Sequence, residues 1–292
     1  MSLLAMPSGT TIVRLVRADM MKLSRYWVVI VGYAAMLIVS VPGAMLYHLA
    51  ETTANVTSES GYDFAFGLML RALDFSQSIL FMMMCLLFTV DVANSTLKYV
   101  LTRPVTRLEL LLSKYATSMV MIAATILLLW ASSLGMGWWY YGLGDLTENE
   151  YVIFEATTVF RHIGIATLWI SLGLLSMASL AIAVSTFSST MGGAIVIGLI
   201  TFFIFGALTV IPASMGFSVE IGGETHLIPW STAAFMNQLF VPMYMLDDLP
   251  TGVPIDSWWT WEIQRMAAVT LLSTLFFFII AAVGIHKRDV TV

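Results

Sequence analysis

The chain has 292 residues, of which 59% are apolar and only 11% are charged, with a net charge of −5. A soluble globular domain carries about 25% charged residues, so the composition excludes a water-soluble enzyme or binding domain of this length. It predicts an integral membrane protein that has membrane lipids as neighbours and no nucleic-acid partner.

The N-terminal segment, residues 10–26, combines apolar residues at helical spacing with a cluster of basic residues. This pattern predicts an amphipathic helix that lies on the inner membrane surface. The alternative is a basic orientation signal that flanks the first span and needs no helix of its own. The apolar positions are Ile12, Val16, Met20, Leu23 and Trp27, and the basic ones are Arg14, Arg17, Lys22 and Arg25.

Six apolar runs are long enough to cross ~30 Å of hydrocarbon, which takes about 20 helical residues each. The second run is the weakest because polar residues such as Asp74 and Gln77 extend it, and Arg71 is spaced to pair with Asp74 at its outer boundary. We therefore predict an all-α membrane protein with one transmembrane domain over residues 1–292. The predicted spans cover about 27–47, 73–92, 115–138, 163–187, 191–211 and 266–285.

Lys and Arg residues concentrate on one side of this six-span arrangement. Cytoplasmic loops of membrane proteins are enriched in these residues, so we expect both the N-terminus and the C-terminus to be cytoplasmic. Ten of the 13 Lys and Arg residues then lie inside, and the exceptions near the outer ends of spans are Arg71, Arg161 and Arg265.

Residues 228–246 offer a seventh apolar run, which Pro229, Asn237, Gln238 and Pro242 interrupt. A seventh span would send the C-terminus to the other side. We favour short helices over 231–246, between helices five and six, that lie at or dip into the outer leaflet. Broken helices are tolerated at that depth where they pack against protein.

The stretch between spans two and three, residues 94–114, shows signals for a helix, a bend and a second helix. Asn94 or Ser95 can cap a short helix that runs to Thr102, and Pro104 disfavours helical geometry at the residue before it. We expect the basic residues of this stretch to be exposed around it, namely Lys98, Arg103, Arg107 and Lys114.

A second start signal follows the proline. Thr106 and Glu109 have capping-box spacing, in which each side chain accepts a hydrogen bond from the backbone N–H of the other. This pair predicts a firmly started helix that continues into the third span.

Two motifs in this stretch, Arg103-Pro-Val-Thr-Arg107 and Leu111-Leu-Ser-Lys-Tyr115, resemble a pattern in the permease subunits of ABC-2 type ATP-binding-cassette exporters. The layout of the whole chain is similar as well. The resemblance implies a cytoplasmic coupling helix that docks on a separate ATPase, with Leu97, Tyr99 and Val100 as docking groups. The implied ATPase-coupling residues are Asn94, Leu97, Lys98, Tyr99, Val100, Thr102, Arg103, Pro104, Thr106 and Arg107. The alternative is that the basic residues only anchor the membrane interface.

The chain has no phosphate-binding loop of the ATPase type, and its four histidines stand apart without metal-ligand spacing. We therefore expect no catalytic residue, metal or cofactor in this chain. The resemblance implies that ATP and Mg bind to ABC ATPase subunits. It also implies a second permease subunit, identical or related, and a location in the plasma membrane, that is, the cytoplasmic membrane of the cell.

No predicted span bears a row of charges that would line a path for a hydrophilic substrate. This favours a lipid-like or amphipathic cargo, or mechanical work on a membrane partner, and the substrate-binding residues stay unknown. Two alternatives use the same spans. One is a scaffold or assembly factor that does not transport, and the other is a membrane-embedded enzyme, which would need convergent catalytic groups.

Overall fold

The computed structural model describes residues 9–54, 60–94, 105–148, 151–207, 215–221, 224–229 and 237–287. These residues form eight α-helices and two antiparallel β-hairpins. The helices are α1 (Gly9–Leu23), α2 (Trp27–Ala54), α3 (Gly61–Ala93), α4 (Arg107–Tyr141), α5 (Ala156–Phe187), α6 (Met191–Ala207), α7 (Val241–Asp247) and α8 (Trp261–Lys287). The hairpins pair β1 (Leu146–Glu148) with β2 (Tyr151–Phe154), and β3 (Gly216–Ile221) with β4 (Glu224–Pro229).

Among the described residues, five helices are long and apolar enough to cross a membrane, namely α2, α3, α4, α5 and α8. The apolar helix α6 has 17 described residues, a little short of the ~20 that a span needs. Its predicted span, 191–211, continues into residues that lie outside the described part of the chain. The predicted helical, multi-pass membrane protein is confirmed, and the two hairpins are additions to the expected all-α fold.

The helix α3 begins at Gly61, well before the expected span start at Leu73. Ser60 caps it, because the Ser60 hydroxyl accepts a hydrogen bond from the backbone N–H of Asp63 at 3.2 Å. The charged residues Arg71 and Asp74 have partners within the protein, so they do not end the helix.

The expected pair between Arg71 and Asp74 does not form. The Arg71 guanidinium lies 3.9 Å from the ring centroid of Tyr47 on α2, a cation–π arrangement. Asp74 accepts a hydrogen bond from the Gln77 side chain at 2.9 Å. Contact with the neighbouring helix α2 therefore decides the conformation of Arg71.

The helix α3 forms the centre of the bundle and packs against α2, α4, α5 and α6. Glycines permit two of these contacts. A Cβ atom on Gly137 of α4 would lie 2.3 Å from the Gly61 carbonyl oxygen, and one on Gly198 of α6 would lie 2.7 Å from the Cys85 sulfur. Small residues let helices approach closely in membranes, and here they do so within one chain.

The ends of α3 and α8 and the start of α4 meet at one end of the bundle. Arg107, the first residue of α4, donates hydrogen bonds to the backbone of Ile285 and His286 near the end of α8. We call this the Lys114 end, because Lys114 lies on α4 two turns further along. The helices α3 and α8 begin at the opposite end.

An irregular segment fills the opposite end of the bundle. It comprises a 3₁₀ turn at Asn237–Phe240, the short helix α7 and a second 3₁₀ turn at Leu249–Thr251, and it packs against α3, α5 and α8. Leu239 inserts against Gly173, where a Cβ atom would lie 2.8 Å from the Leu239 Cβ. At 1.5 Å per residue, Gly173 lies about 25 Å from the start of α5.

The alternative of a seventh span over 228–246 is not seen in the described part of that range. Ile228 belongs to strand β4, and α7 has only seven residues. The short helix α7 and the 3₁₀ turn before it therefore agree with the expectation of short helices in this segment.

Candidate functional site at the Lys114 end

The N-terminal helix α1 has the amphipathic form expected for residues 10–26, but its buried face is not purely apolar. The helix packs against α4, and its two buried residues are Asp19 and Leu23. Arg14 and Arg17 lie on its exposed side. A carboxylate on the face that meets the bundle requires a charged partner there.

Lys114 is that partner. Its Nζ atom lies 2.9 Å from each carboxylate oxygen of Asp19 and 2.5 Å from Oδ2 of Asp91 on α3. The Lys22 ammonium in turn donates to Oδ1 of Asp91 at 2.8 Å. These four residues, Asp19, Lys22, Asp91 and Lys114, form what we call the charge cluster. It joins α1, α3 and α4 with two positive and two negative groups.

The geometry satisfies the most deeply buried member of the cluster. The Lys114 side chain is only 1% exposed, and a lysine ammonium has three protons to donate. Three carboxylate oxygens lie within hydrogen-bond distance of it, so no donor is left without an acceptor. One of our expectations is thereby wrong, since Lys114 is buried rather than exposed. Its partner Asp91 is buried as well and ion-paired.

The Asp19 carboxyl lies outside the membrane-crossing helices and is perturbed by its surroundings. Burial raises the pKa of this carboxyl, and the attraction of the Lys114 ammonium opposes that rise without cancelling it. Asp19 therefore depends on Lys114 to hold its negative charge at this depth.

The end of α3 is fixed to the turn between α1 and α2. The backbone N–H of Asn94 donates to the Val90 carbonyl and closes the last turn of α3. Its side-chain amide donates to the Tyr26 hydroxyl at 2.6 Å. Asn94, the first of the predicted coupling residues, is thus bound to a neighbouring element.

The start of α4 has the predicted capping box. The Thr106 hydroxyl accepts from the Glu109 backbone N–H at 3.1 Å, and the Glu109 carboxylate accepts from the Thr106 backbone N–H at 2.8 Å. The helix begins at Arg107, as this motif predicts.

Arg107 is half-buried rather than exposed as expected, and its side chain reaches the last helix. It donates to the Ile285 carbonyl at 3.1 Å and also to the His286 carbonyl. The C-terminal end of a helix carries partial negative charge, which a cation stabilises. Arg107 therefore joins the start of α4 to the end of α8.

The remaining predicted coupling residues lie outside the described residues, within 95–104. They are Leu97, Lys98, Tyr99, Val100, Thr102, Arg103 and Pro104. Both flanks of this segment are described, and contacts hold each flank: Asn94 to the turn before α2, and Arg107 to α8.

Sequence reasoning missed the charge cluster. Its members are dispersed over the chain, so no spacing rule links them. One signal was readable, because Asp19 lies between Val16 and Leu23 on the apolar face of α1. A carboxylate at such a position predicts a buried cationic partner.

Within the residues that the structure describes, no group of three or more His, Cys, Asp or Glu side chains is placed to hold a metal ion.

A comparison with protein families identifies a relationship for most of the chain. The family model described as ABC-2 family transporter protein matches residues 15–206, which is more than half of the chain and includes both the charge cluster and the capping box. No curated protein matches the chain.

Proposed function

The chain belongs to the ABC-2 family of transporter proteins, and from that premise we propose that residues 94–107 are the contact through which a separate ATPase drives it. Membership makes the chain a transmembrane permease of an ABC transporter. The contact itself, the ATPase and the cargo are the proposal.

The attachment of both flanks of segment 95–104 to the bundle is the observation that carries this proposal. Asn94 binds Tyr26 before α2, and Asp91 one turn earlier binds Lys114 and Lys22. On the other flank, Arg107 binds the end of α8. A displacement of this segment would therefore reach α1, α2, α4 and α8 together, as a drive element requires.

The energy source lies in another subunit under this proposal. The chain has no phosphate-binding loop, so ATP and Mg bind to the ATPase. Two ATPases pair with two permeases, and closure of the ATPases pushes the segments 94–107 and reorganises a path between the permeases.

The proposed topology has six spans in the plasma membrane, with α6 as the fifth and both ends of the chain cytoplasmic. The distribution of Lys and Arg supports this orientation. In this arrangement α1 lies at the cytoplasmic membrane surface, and the Lys114 end faces the ATPase.

The proposed cargo is a lipid-like or amphipathic molecule. The outward faces of α2, α6 and α8 carry large exposed apolar side chains, as expected for surfaces in contact with lipid. A scaffold or assembly factor would use the same bundle without moving a cargo.

Co-purification tests the ATPase contact. The tagged protein is extracted from native membranes in mild detergent, once unchanged and once with Leu97→Asp and Tyr99→Asp. We expect an ATP-binding-cassette subunit to accompany the unchanged protein and to be lost from the variant. Val152→Asp with Val253→Asp is the matched control, because it adds the same two charges at exposed sites outside the segment.

Two results would contradict the proposal. The unchanged protein could purify without any ATPase, which would indicate an autonomous membrane protein. The ATPase could also stay bound to the Leu97 and Tyr99 variant, which would place the contact elsewhere. A measurement of ATP-dependent transport of a labelled lipid in vesicles then distinguishes a transporter from a scaffold.

A further inference from the structure

A cavity of about 540 Å³ lies at the end of the bundle opposite to Lys114, between α7 and the start of α8. This volume is within the range of small-molecule sites in proteins. Its walls combine apolar side chains with charged ones of both signs. The apolar lining comes from Phe240, Val241 and Met245, and the charged lining from Asp248, Glu262 and Arg265.

Arg265 carries a buried donor that lacks an acceptor, although the Glu262 carboxylate lies close enough to attract its charge. Its Nε atom is buried and has no hydrogen-bond partner among the described residues, and the ion pairs of those residues do not include it. A buried charged donor without an acceptor is unfavourable. An arginine is suited to phosphate or carboxylate oxygens, which it binds with two parallel hydrogen bonds.

The acidic residues around the cavity point to a second charge on the ligand. Asp248 and Glu262 are exposed, so they act at the entrance rather than in the interior. They repel a purely anionic ligand and attract a cationic group. The exposed ring of Tyr244 also lines the cavity and offers a face on which a quaternary ammonium group binds well.

The face of α8 below Arg265 is suited to an apolar chain. Ala268 and Leu272 follow Arg265 at helical spacing on one side of α8 and are exposed, and the exposed Leu275, Phe276 and Ile279 continue this stripe. In a membrane-crossing helix, such a stripe contacts lipid chains. A headgroup bound at Arg265 would thus have its chains along a surface that already faces lipid.

We propose that this cavity binds the headgroup of a zwitterionic phospholipid, with its phosphate on Arg265 and its ammonium group facing Asp248 and Glu262. This inference deepens the proposed function by naming the cargo class, and it rests on that function for the role as cargo. Binding itself is measured without any ATPase, so its outcome is independent of the co-purification experiment.

The test is equilibrium binding to the purified full chain in detergent, with short-chain diheptanoylphosphatidylcholine as the probe. We expect Arg265→Gln to raise the Kd about tenfold or more, because a charge-assisted hydrogen bond is lost. Arg265→Lys keeps the charge without the paired donors, so its Kd should lie in between. Arg161→Gln is the matched control, since Arg161 is an exposed arginine outside the cavity lining, and it should leave the Kd unchanged.

Two further probes, short-chain phosphatidylglycerol and free phosphocholine, define the ligand. Asp248→Asn with Glu262→Gln should weaken binding of the zwitterionic lipid but not of short-chain phosphatidylglycerol, which lacks the ammonium group. Free phosphocholine should bind more weakly than the lipid, because it has no chains for the α8 stripe. Equal Kd values for Arg265→Gln and Arg161→Gln would overturn the site, and phosphocholine that binds as tightly as the lipid would overturn the membrane source. Size-exclusion profiles confirm that each variant is folded.

Discussion

The Nζ atom of Lys114 lies 2.9 Å from both carboxylate oxygens of Asp19, although 95 residues separate the two in the chain. The same ammonium group binds Asp91, so one buried side chain joins α1, α3 and α4. The N-terminal helix is therefore part of the bundle at the Lys114 end and is held there by charge as well as by apolar contact.

Lys114→Met should destabilise the protein more than any other single change in the charge cluster. It leaves the carboxylates of Asp19 and Asp91 buried near each other without the ammonium between them. Breaking a buried ion pair costs about 3–5 kcal/mol, which should appear as a much lower midpoint of thermal denaturation in detergent. Arg17→Met removes an exposed positive charge from α1 and should leave the midpoint nearly unchanged.

Removing all three charges together should restore part of that loss. In Lys114→Met with Asp19→Asn and Asp91→Asn, no buried charge is left unpaired, and neutral replacements of a buried ion cluster are often tolerated. The denaturation midpoint of the triple variant should therefore exceed that of Lys114→Met alone. A triple variant that is no more stable than the single one would show that packing, rather than charge pairing, makes Lys114 necessary.

Thr106→Ala should weaken the start of α4. The hydroxyl of Thr106 accepts from the Glu109 backbone N–H, and loss of such a cap costs about 1 kcal/mol. Hydrogen exchange at residues 107–110 should become roughly fivefold faster, which corresponds to that energy at about 1.4 kcal/mol per factor of ten. Thr106→Ser keeps the hydroxyl and should exchange like the unchanged protein, whereas equal rates in all three proteins would deny the cap a role.

The capping box could be predicted from the sequence because it is local. Thr106 and Glu109 lie three residues apart, and the rule that relates them needs no knowledge of the fold. The burial of Lys114 could not be predicted in this way. Its positive charge fitted the general enrichment of basic residues near cytoplasmic span ends, and only the tertiary fold brings Asp19 and Asp91 to it.

The same distinction explains the boundary of α3. We predicted its start at Leu73, in a stretch where Asp74 and Gln77 already weaken the apolar run. The helix instead begins at Gly61, because Ser60 caps it and the ring of Tyr47 receives the Arg71 guanidinium. A hydropathy average over a stretch of sequence indicates how well that stretch is accommodated in lipid. It takes no account of polar side chains that form contacts within the protein. The cavity at Arg265 was missed because its walls form only where α7 packs beside the start of α8.

Arg107→Gln should loosen the last turn of α8. The change removes the donors to the Ile285 and His286 carbonyls and the cation that stabilises this helix end. Exchange of the backbone amides in the last turn of α8 should rise by a factor of roughly two to five, since such an interaction is worth about 0.3–1 kcal/mol. Arg14→Gln, at an exposed position on α1, is the control and should leave this turn unaffected.

Equal amide exchange rates at the end of α8 in the Arg107→Gln and Arg14→Gln variants would show that the contact with the start of α4 does not stabilise this helix end. It would also weaken the proposal that a push on segment 94–107 reaches α8. The ATPase contact would then have to act through α1, α2 and α4 alone.

Gly173→Ala tests whether the segment with Leu239 inserts into the bundle. A Cβ atom at this position would lie 2.8 Å from the Leu239 Cβ and 3.0 Å from its Cα, so the backbone of the 3₁₀ turn has to move. Overpacking of this kind costs about 1–3 kcal/mol, and the denaturation midpoint should fall. Gly164→Ala, on the same helix, meets nothing within 4 Å. It should be neutral or stabilising, because alanine favours a helix over glycine by about 1 kcal/mol. Equal midpoints for the two variants would mean that Leu239 does not reach α5. The 3₁₀ turn would then not fix the position of α7 beside the cavity.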